Sequence, residues 1–146
     1  MKLTVVTLLA ASCLLAADKK LTIETLPAPV KATAQEQLKG ATLVGIASEK
    51  EAGKTVYELE TKRDGKARDL MIAADGKVLS IEEEVDIAAI PAAARAAIEK
   101  MVGKAKLDRV EALSKSGKLV AYEAAYKKSG KSVEAAVTPE GAPYKD

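Results

Sequence analysis

Apolar positions in this chain follow two rhythms, one of helices and one of strands. Val30, Ala34 and Leu38 share one helical face, and so do Ala94, Ile98, Met101 and Val102. Pro27 and Pro91 suit a first helical turn, where a missing N–H costs nothing. Gly40 and Gly103 stand where C-terminal caps belong. After each helix the apolar residues alternate with polar ones, broken by two-residue turn signals with glycine second. These are Ala52-Gly53, Asp64-Gly65 and Asp75-Gly76, then Ser116-Gly117, Ser129-Gly130 and Glu140-Gly141. Asp-Gly favours a type I′ turn, which needs positive φ at both central residues; the other pairs signal it less strongly.

The turns impose registers that can be checked against burial. A turn at 64–65 sets Leu59 opposite Leu70 and Tyr57 opposite Ile72. One at 75–76 sets Ile72 opposite Leu79 and Leu70 opposite Ile81, and one at 52–53 sets Ile46 opposite Leu59. All of these then lie on one face, as a sheet buried on a single side requires. In the second half Tyr122 faces Val137, Ala124 faces Ala135, Tyr126 faces Val133 and Val137 faces Tyr144.

The two halves are repeats. "LPAPVKATAQEQLKG" at 26–40 corresponds to "IPAAARAAIEKMVGK" at 90–104, an offset of 64 that also relates Gly53-Lys54 to Gly117-Lys118. From Tyr57-Glu58 and Tyr122-Glu123 onward the offset is 65. An extra residue near Val120-Ala121 would turn every later side chain over unless a β-bulge absorbed it; with the bulge Val110 meets Ala124. The expected architecture is α+β: two tandem α-β-β-β-β repeats, each one helix on a four-stranded antiparallel meander, able to join into one sheet. The boundaries are a signal peptide at 1–17, a linker at 18–25, the first repeat at 26–85, a linker at 86–89 and the second repeat at 90–146.

Composition narrows the chemistry. Of the 146 residues 48% are hydrophobic, enough for a core, but Phe and Trp are absent and Tyr occurs four times. The core is therefore built from small aliphatic side chains that each bury little area. Met1-Lys2 and the run "LTVVTLLAASCLLA" followed by "DKK" read as an export signal, too short to span a membrane as a helix. Cleavage near Ala16 or Ala17 predicts a periplasmic or secreted protein without a transmembrane segment. Cys13 offers a rival, a lipid anchor, although Ala10-Ala11-Ser12 lacks the leucine usual three residues before a lipidated cysteine. Beyond the signal there is no cysteine and no histidine, which excludes disulfides, thiolate nucleophiles, a Ser-His-Asp triad and a His/Cys zinc site.

Two motifs suggest ligands and fail. Gly53-Lys54-Thr55 ends like a P-loop, but Ser48 replaces the first glycine; Gly130-Lys131-Ser132 has Ala125 at that place. Lys115-Ser116-Gly117 and Lys128-Ser129-Gly130 match a motif of penicillin-binding enzymes, yet no serine has lysine three residues later. A repeated Gly-Lys is explained by a repeated turn, and no cofactor is expected. Charge is uneven: residues 26–89 hold 9 basic and 12 acidic side chains, residues 90–146 hold 11 and 7. Such asymmetry lets the halves attract each other or steers an acidic partner. With no basic-aromatic platform, nucleic acid is not an expected partner.

An exported tandem of α-β-β-β-β units with "GKTVYELE", "ADGKVLSIEEE" and "GKLVAYEAA" resembles the PepSY-like family, in particular its β-lactamase-inhibitor-like tandem branch. The resemblance covers residues 26–146. It implies a non-catalytic periplasmic or extracellular module that binds or restrains another envelope protein, a peptidase or other hydrolase among the candidates. The sheet face away from the helices is then the expected binding face. It would carry Val56, Glu58, Glu60, Asp69 and Met71 in the first repeat, and Glu123, Ala125, Glu134 and Ala136 in the second. Glu58, Glu60, Asp69, Glu123 and Glu134 are the candidate binding residues. The plain alternative for them is solvated carboxylate. Glu82-Glu83-Glu84 with Asp86 is a poor metal cage, because alternate residues of a strand point oppositely. Two other functions stay open: a small-ligand or cation-binding envelope protein, and a hydrolase using two carboxylates across a cleft.

Overall fold

The computed structural model describes residues 21–145. The predicted signal peptide with Cys13, and residues 18–20 of the linker, lie outside the described residues. A short 3-10 turn, Ile23–Thr25, leads into helix α1, Ala28–Gln37. Strands β1 (Thr42–Glu51), β2 (Lys54–Arg63), β3 (Lys66–Ala73) and β4 (Val78–Val85) follow. A second 3-10 turn, Ile87–Ala89, leads into α2, Ala92–Val102, and then β5 (Lys106–Lys115), β6 (Lys118–Lys128) and β7 (Lys131–Val137). The strands run in sheet order β1-β2-β3-β4-β5-β6-β7, so the fold is the expected α+β tandem repeat. Two compact units divide the described chain. One holds the residues through Glu83 together with Ser114–Lys118; the other holds Glu84–Leu113 and the chain from Leu119.

Both helices begin alike. Pro27 and Pro91 are the N-cap residues, one place before the expected first turn, and their carbonyls accept the N–H of Lys31 (2.8 Å) and Arg95 (2.9 Å). Gly103 caps α2 at φ 58°, whereas Gly40 lies two residues past the cap Leu38.

In the first unit Leu26, Val30 and Ala34 pack with Leu59, Leu70 and Ile72, and Ile23, Leu43, Ile46, Tyr57 and Ile81 border them. In the second, Ile90, Ala94 and Ile98 pack with Val110, Tyr122, Ala124 and Val137. Full burial of a Leu or Ile side chain contributes about 1.5–3 kcal/mol, so Leu59, Leu70, Ile72 and Ile98 are the largest individual holds.

The registers set by two-residue turns are the expected ones. Ile46 faces Leu59, Leu59 faces Leu70 and Tyr57 faces Ile72. Tyr122 faces Val137, Ala124 faces Ala135 and Tyr126 faces Val133. Each of these turns has both central residues at positive φ, as in Asp64 (52°) and Gly65 (80°), the type I′ geometry whose twist matches that of paired strands. The burial phase of β6 breaks at Ala121 and Tyr122, buried in succession, where the repeat offset changes.

The turns at Gly76 and Gly141 close differently. Gly76 N–H donates to Ala73 O (2.8 Å) and Ala73 N–H to Lys77 O (2.9 Å), so three residues form the loop. Gly141 N–H to Thr138 O (2.8 Å) and Thr138 N–H to Ala142 O (2.8 Å) repeat the pattern. The register moves by one residue as a result. Leu70 still faces Ile81, but across a bulge Ile72 faces Val78 rather than Leu79. Val137 bridges Pro143 rather than Tyr144. The expected eighth strand is reduced to that bridge and one bond, Tyr144 N–H to Ala136 O (2.9 Å); Pro143 has no N–H with which to extend a ladder. The second meander thus has three strands.

Both of these loops also lie against a helix. A Cβ on Gly76 would lie 2.7 Å from Pro29 O, and one on Gly141 would lie 2.6 Å from Ala93 O. Each glycine lets its loop press on the first turn of its own helix.

Candidate functional site

The face of β1–β3 turned away from the first core carries a set of carboxylates. Cross-strand pairing places Glu60 directly opposite Asp69, and Asp69 opposite Glu82 on β4. The next row holds Ala47, Glu58, Met71 and Ser80, and the next Glu49 with Val56. Adjacent strands lie about 4.8 Å apart, so like charges in these rows repel. Glu60 is exposed and leans toward β1, where Gly45 has no side chain: a Cβ there would come 3.1 Å from Glu60 Oε2. Glu58 and Asp69 are half-buried. Burial pushes the Glu58 carboxyl above its usual range, and the negative charges of Glu60, Asp69 and Glu49 push it further. Glu49 is the member that the sequence reading missed; alternation along β1 with Ala47 could have found it.

Val56 differs from expectation. It is only 3% exposed, so that part of the face is covered rather than open. Met71 is half-buried.

The second repeat keeps less of this pattern. Glu123 faces Ala136 and is half-buried; Glu134 faces Ala125 and is exposed. The directly opposed pair Glu60–Asp69 becomes Ala125–Glu134, because the alanine occupies the matching place. Glu123 and Glu134 are therefore diagonal neighbours. Glu111 on β5, which the sequence reading did not single out, is 5% exposed, and Arg109 Nε lies 3.0 Å from its Oε1, an ion pair bent away from hydrogen-bond geometry.

A polar cluster on the helix-facing side of the first unit was also unforeseen. Arg68 is 5% exposed; its Nε donates to Glu83 Oε1 (2.8 Å) and its Nη2 to Gln37 Oε1 (2.8 Å). Buried Thr61, directly opposite, donates its hydroxyl to Arg68 O (2.5 Å). The two arginines Arg63 and Arg68 reach the last turn of α1, the former with Nη2 3.5 Å from Gln37 O, where cations are favoured by the helix dipole. Arg68 has the same strand parity as Leu70 and Ile72, and that was the available signal.

A depression of about 140 Å³ is lined by Gln37, Val78–Ile81, Ser114, Ser116 and Gly117. Ser116 N–H donates to Leu79 O there (3.0 Å). Its lining holds hydroxyls, an amide and aliphatic groups but no carboxylate pair. Among the described residues no cluster of three or more His, Cys, Asp or Glu is arranged to hold a metal ion. No helix among them is long and apolar enough to cross a membrane.

Comparison with known proteins places this fold. No family model matches the chain, and no curated protein matches it. Among solved structures, a BLIP-like protein from Bacteroides fragilis is similar over 80% of this chain and 82% of its own, with 17% identity and a TM-score of 0.57. A protein assigned to the periplasm of Bacteroides eggerthii covers 82% of this chain and 86% of its own, with 14% identity and a TM-score of 0.65. A DUF2874 family protein from Bacteroides ovatus covers 83% and 86%, with 15% identity and a TM-score of 0.62. At these identities what is shared is the fold: two helices and a meandering sheet in tandem, the architecture of BLIP-like proteins.

Proposed function

We propose that this is an exported, non-catalytic protein-binding module of the PepSY-like type, acting in the periplasm or outside the cell on another envelope protein. The partner class that fits is a peptidase or other hydrolase that the module restrains. The observation that carries the reading is the crowding of Glu49, Glu58, Glu60 and Asp69 on one rigid sheet face, where Glu58 is held above its ordinary range by burial and by its neighbours. Such crowding opposes folding, and a partner's basic groups would relieve it. Glu60 and Asp69 stand side by side on that face, whereas two hydrolytic carboxylates act across a cleft. The likeness to a BLIP-like protein supports a binding role.

The test is site-specific photo-crosslinking in cells that export the protein. A crosslinker at position 60 or 134 should capture one discrete partner, and one at exposed Ala32 or Glu99 on the helices should not. Charge reversal by Glu60→Lys and Asp69→Lys should then slow association with that partner more than it speeds dissociation. Adducts at the helix positions alone, or unchanged kinetics in both variants, would overturn the assignment of this face.

A further inference from the structure

The two repeats carry matching basic hairpin tips. Lys62, Arg63, Asp64, Gly65 and Lys66 in the first correspond to Lys127, Lys128, Ser129, Gly130 and Lys131 in the second. In each, two cations stand directly opposite across the ladder next to the turn: Arg63 with Lys66, and Lys128 with Lys131. Like charges so placed oppose strand pairing. The first tip has an internal use for its charge, since Arg63 turns to the C-terminal end of α1 and Asp64 occupies the turn itself. The second tip has neither. Ser129 replaces the aspartate, and the stretch from Tyr126 to Val133 contains three lysines and no acid. Lys127 donates to Ser132 Oγ (2.8 Å), while Lys128 and Lys131 are exposed and form no ion pair among the described residues.

We propose that the β6–β7 tip is an electrostatic contact for an anionic phospholipid surface. Lys127, Lys128 and Lys131 flank the turn and are all exposed, an arrangement that spreads charge outward rather than enclosing a discrete anion. A densely charged plane needs no enclosure, because each lysine interacts with the summed potential of many headgroups. The tip also lacks an exposed aromatic or large aliphatic side chain to insert, so the contact is ionic and reversible. It involves a different surface from the carboxylate face and stands or falls separately from it.

The experiment is cosedimentation of the purified protein with vesicles of phosphatidylcholine alone and of phosphatidylcholine with phosphatidylglycerol. Binding is expected only to the latter. It should vanish at high salt, where the Debye length falls from about 10 Å at 0.1 M to about 3 Å at 1 M. At roughly fivefold per lysine, Lys128→Gln with Lys131→Gln should weaken it about 25-fold. The pair Lys50→Gln and Lys54→Gln removes equal charge at the β1–β2 tip, where Glu49 and Glu51 are interspersed, and should weaken it far less. Equal losses in the two double variants, or no binding to the anionic vesicles, would overturn the proposal. So would displacement by free inorganic phosphate at constant ionic strength, which indicates a discrete anion site. Binding to polyglutamate as strong as to the vesicles would instead point to an acidic polypeptide and refute the membrane assignment.

Discussion

Replacing Gly76 by alanine tests how the helix is held to the sheet. Two costs arise there. The backbone sits at φ 88°, a region where a side chain costs about 1 kcal/mol or somewhat more relative to glycine. The added Cβ also falls 2.7 Å from Pro29 O and 2.9 Å from Pro29 C, and neither atom can swing aside because both are backbone. The loop must lift or the first turn of α1 must shift, an overpacking cost of about 1–3 kcal/mol. Lifting also strains the bond from Thr33 Oγ1 to Gly76 O (2.7 Å). The sum is about 2–4 kcal/mol. Gly65 supplies the control: its φ is 80° and nothing lies within 4 Å of a Cβ, so Gly65→Ala should cost only about 1 kcal/mol. Urea unfolding followed by circular dichroism measures both, with the slope checked for equality so that midpoints can be compared. Gly141→Ala, whose Cβ would lie 2.6 Å from Ala93 O, should behave as Gly76→Ala does. If Gly76→Ala and Gly65→Ala destabilise equally, the close approach to the helix contributes nothing and the reasoning fails.

Thr33→Val should cost about 1 kcal/mol in the same assay, since it leaves Gly76 O without its hydroxyl donor; no loss would mean that water replaces the bond freely. Arg68→Met should destabilise by about 1 kcal/mol, because Gln37 and the half-exposed Glu83 lose the donors of a buried guanidinium, and a neutral result would show that burying the guanidinium cancels its bonds. The Glu58 carboxyl is raised in the fold, so the folded state holds its proton more tightly than the unfolded chain does. Stability should therefore fall as pH rises above the usual carboxylate range. Glu58→Gln should stabilise the protein at neutral pH and flatten that slope, and an unchanged profile would place the burden on another carboxylate. Lys54→Ala should leave ATP binding absent as in the parent, by equilibrium dialysis, because Gly53 and Lys54 belong to a turn with Ala52 and Gly53 at positive φ.

Much of the fold is legible in the sequence because its determinants are local. A glycine second in a turn fixes the pairing on either side, and alternation then sorts Leu59, Leu70 and Ile72 onto one face. What was not legible lies where a local signal allows more than one outcome. Asp75-Gly76 is compatible with a two-residue turn or with a three-residue loop in which only the glycine has positive φ, and the latter is formed. The bulge between Leu43 and Gly45 leaves Val44 56% exposed; Gly45 inside the strand pattern was a signal for it that went unused. The candidate face was half legible. Parity gave the directions of Glu58, Glu60 and Asp69, but parity cannot say whether a face is covered, and Val56 is. Arg68 was overlooked because its charge suggested solvent, although its place between Thr61 and Glu83 on the core side was already implied by the register.

The repeats have diverged in a consistent direction. The contact that sets their geometry is retained: a glycine loop against the first turn of a helix, Gly76 on Pro29 and Gly141 on Ala93. Side chains around that contact are not. Thr33 corresponds to Ala97, which can only pack, its Cβ 3.5 Å from where a Cβ on Gly141 would be. The facing pair Thr61–Arg68 corresponds to Tyr126–Val133, a buried polar bridge exchanged for an apolar one. Glu60–Asp69 corresponds to Ala125–Glu134. Backbone contact thus fixes the architecture at few positions and leaves the sheet surfaces free to change. A face that kept its charges only for solubility would gain nothing from setting carboxylates directly opposite one another, since dispersed charges solvate as well without the repulsion. The crowded row belongs to one repeat and the lysine tip to the other, so the repeats share a backbone plan and differ in where they concentrate charge.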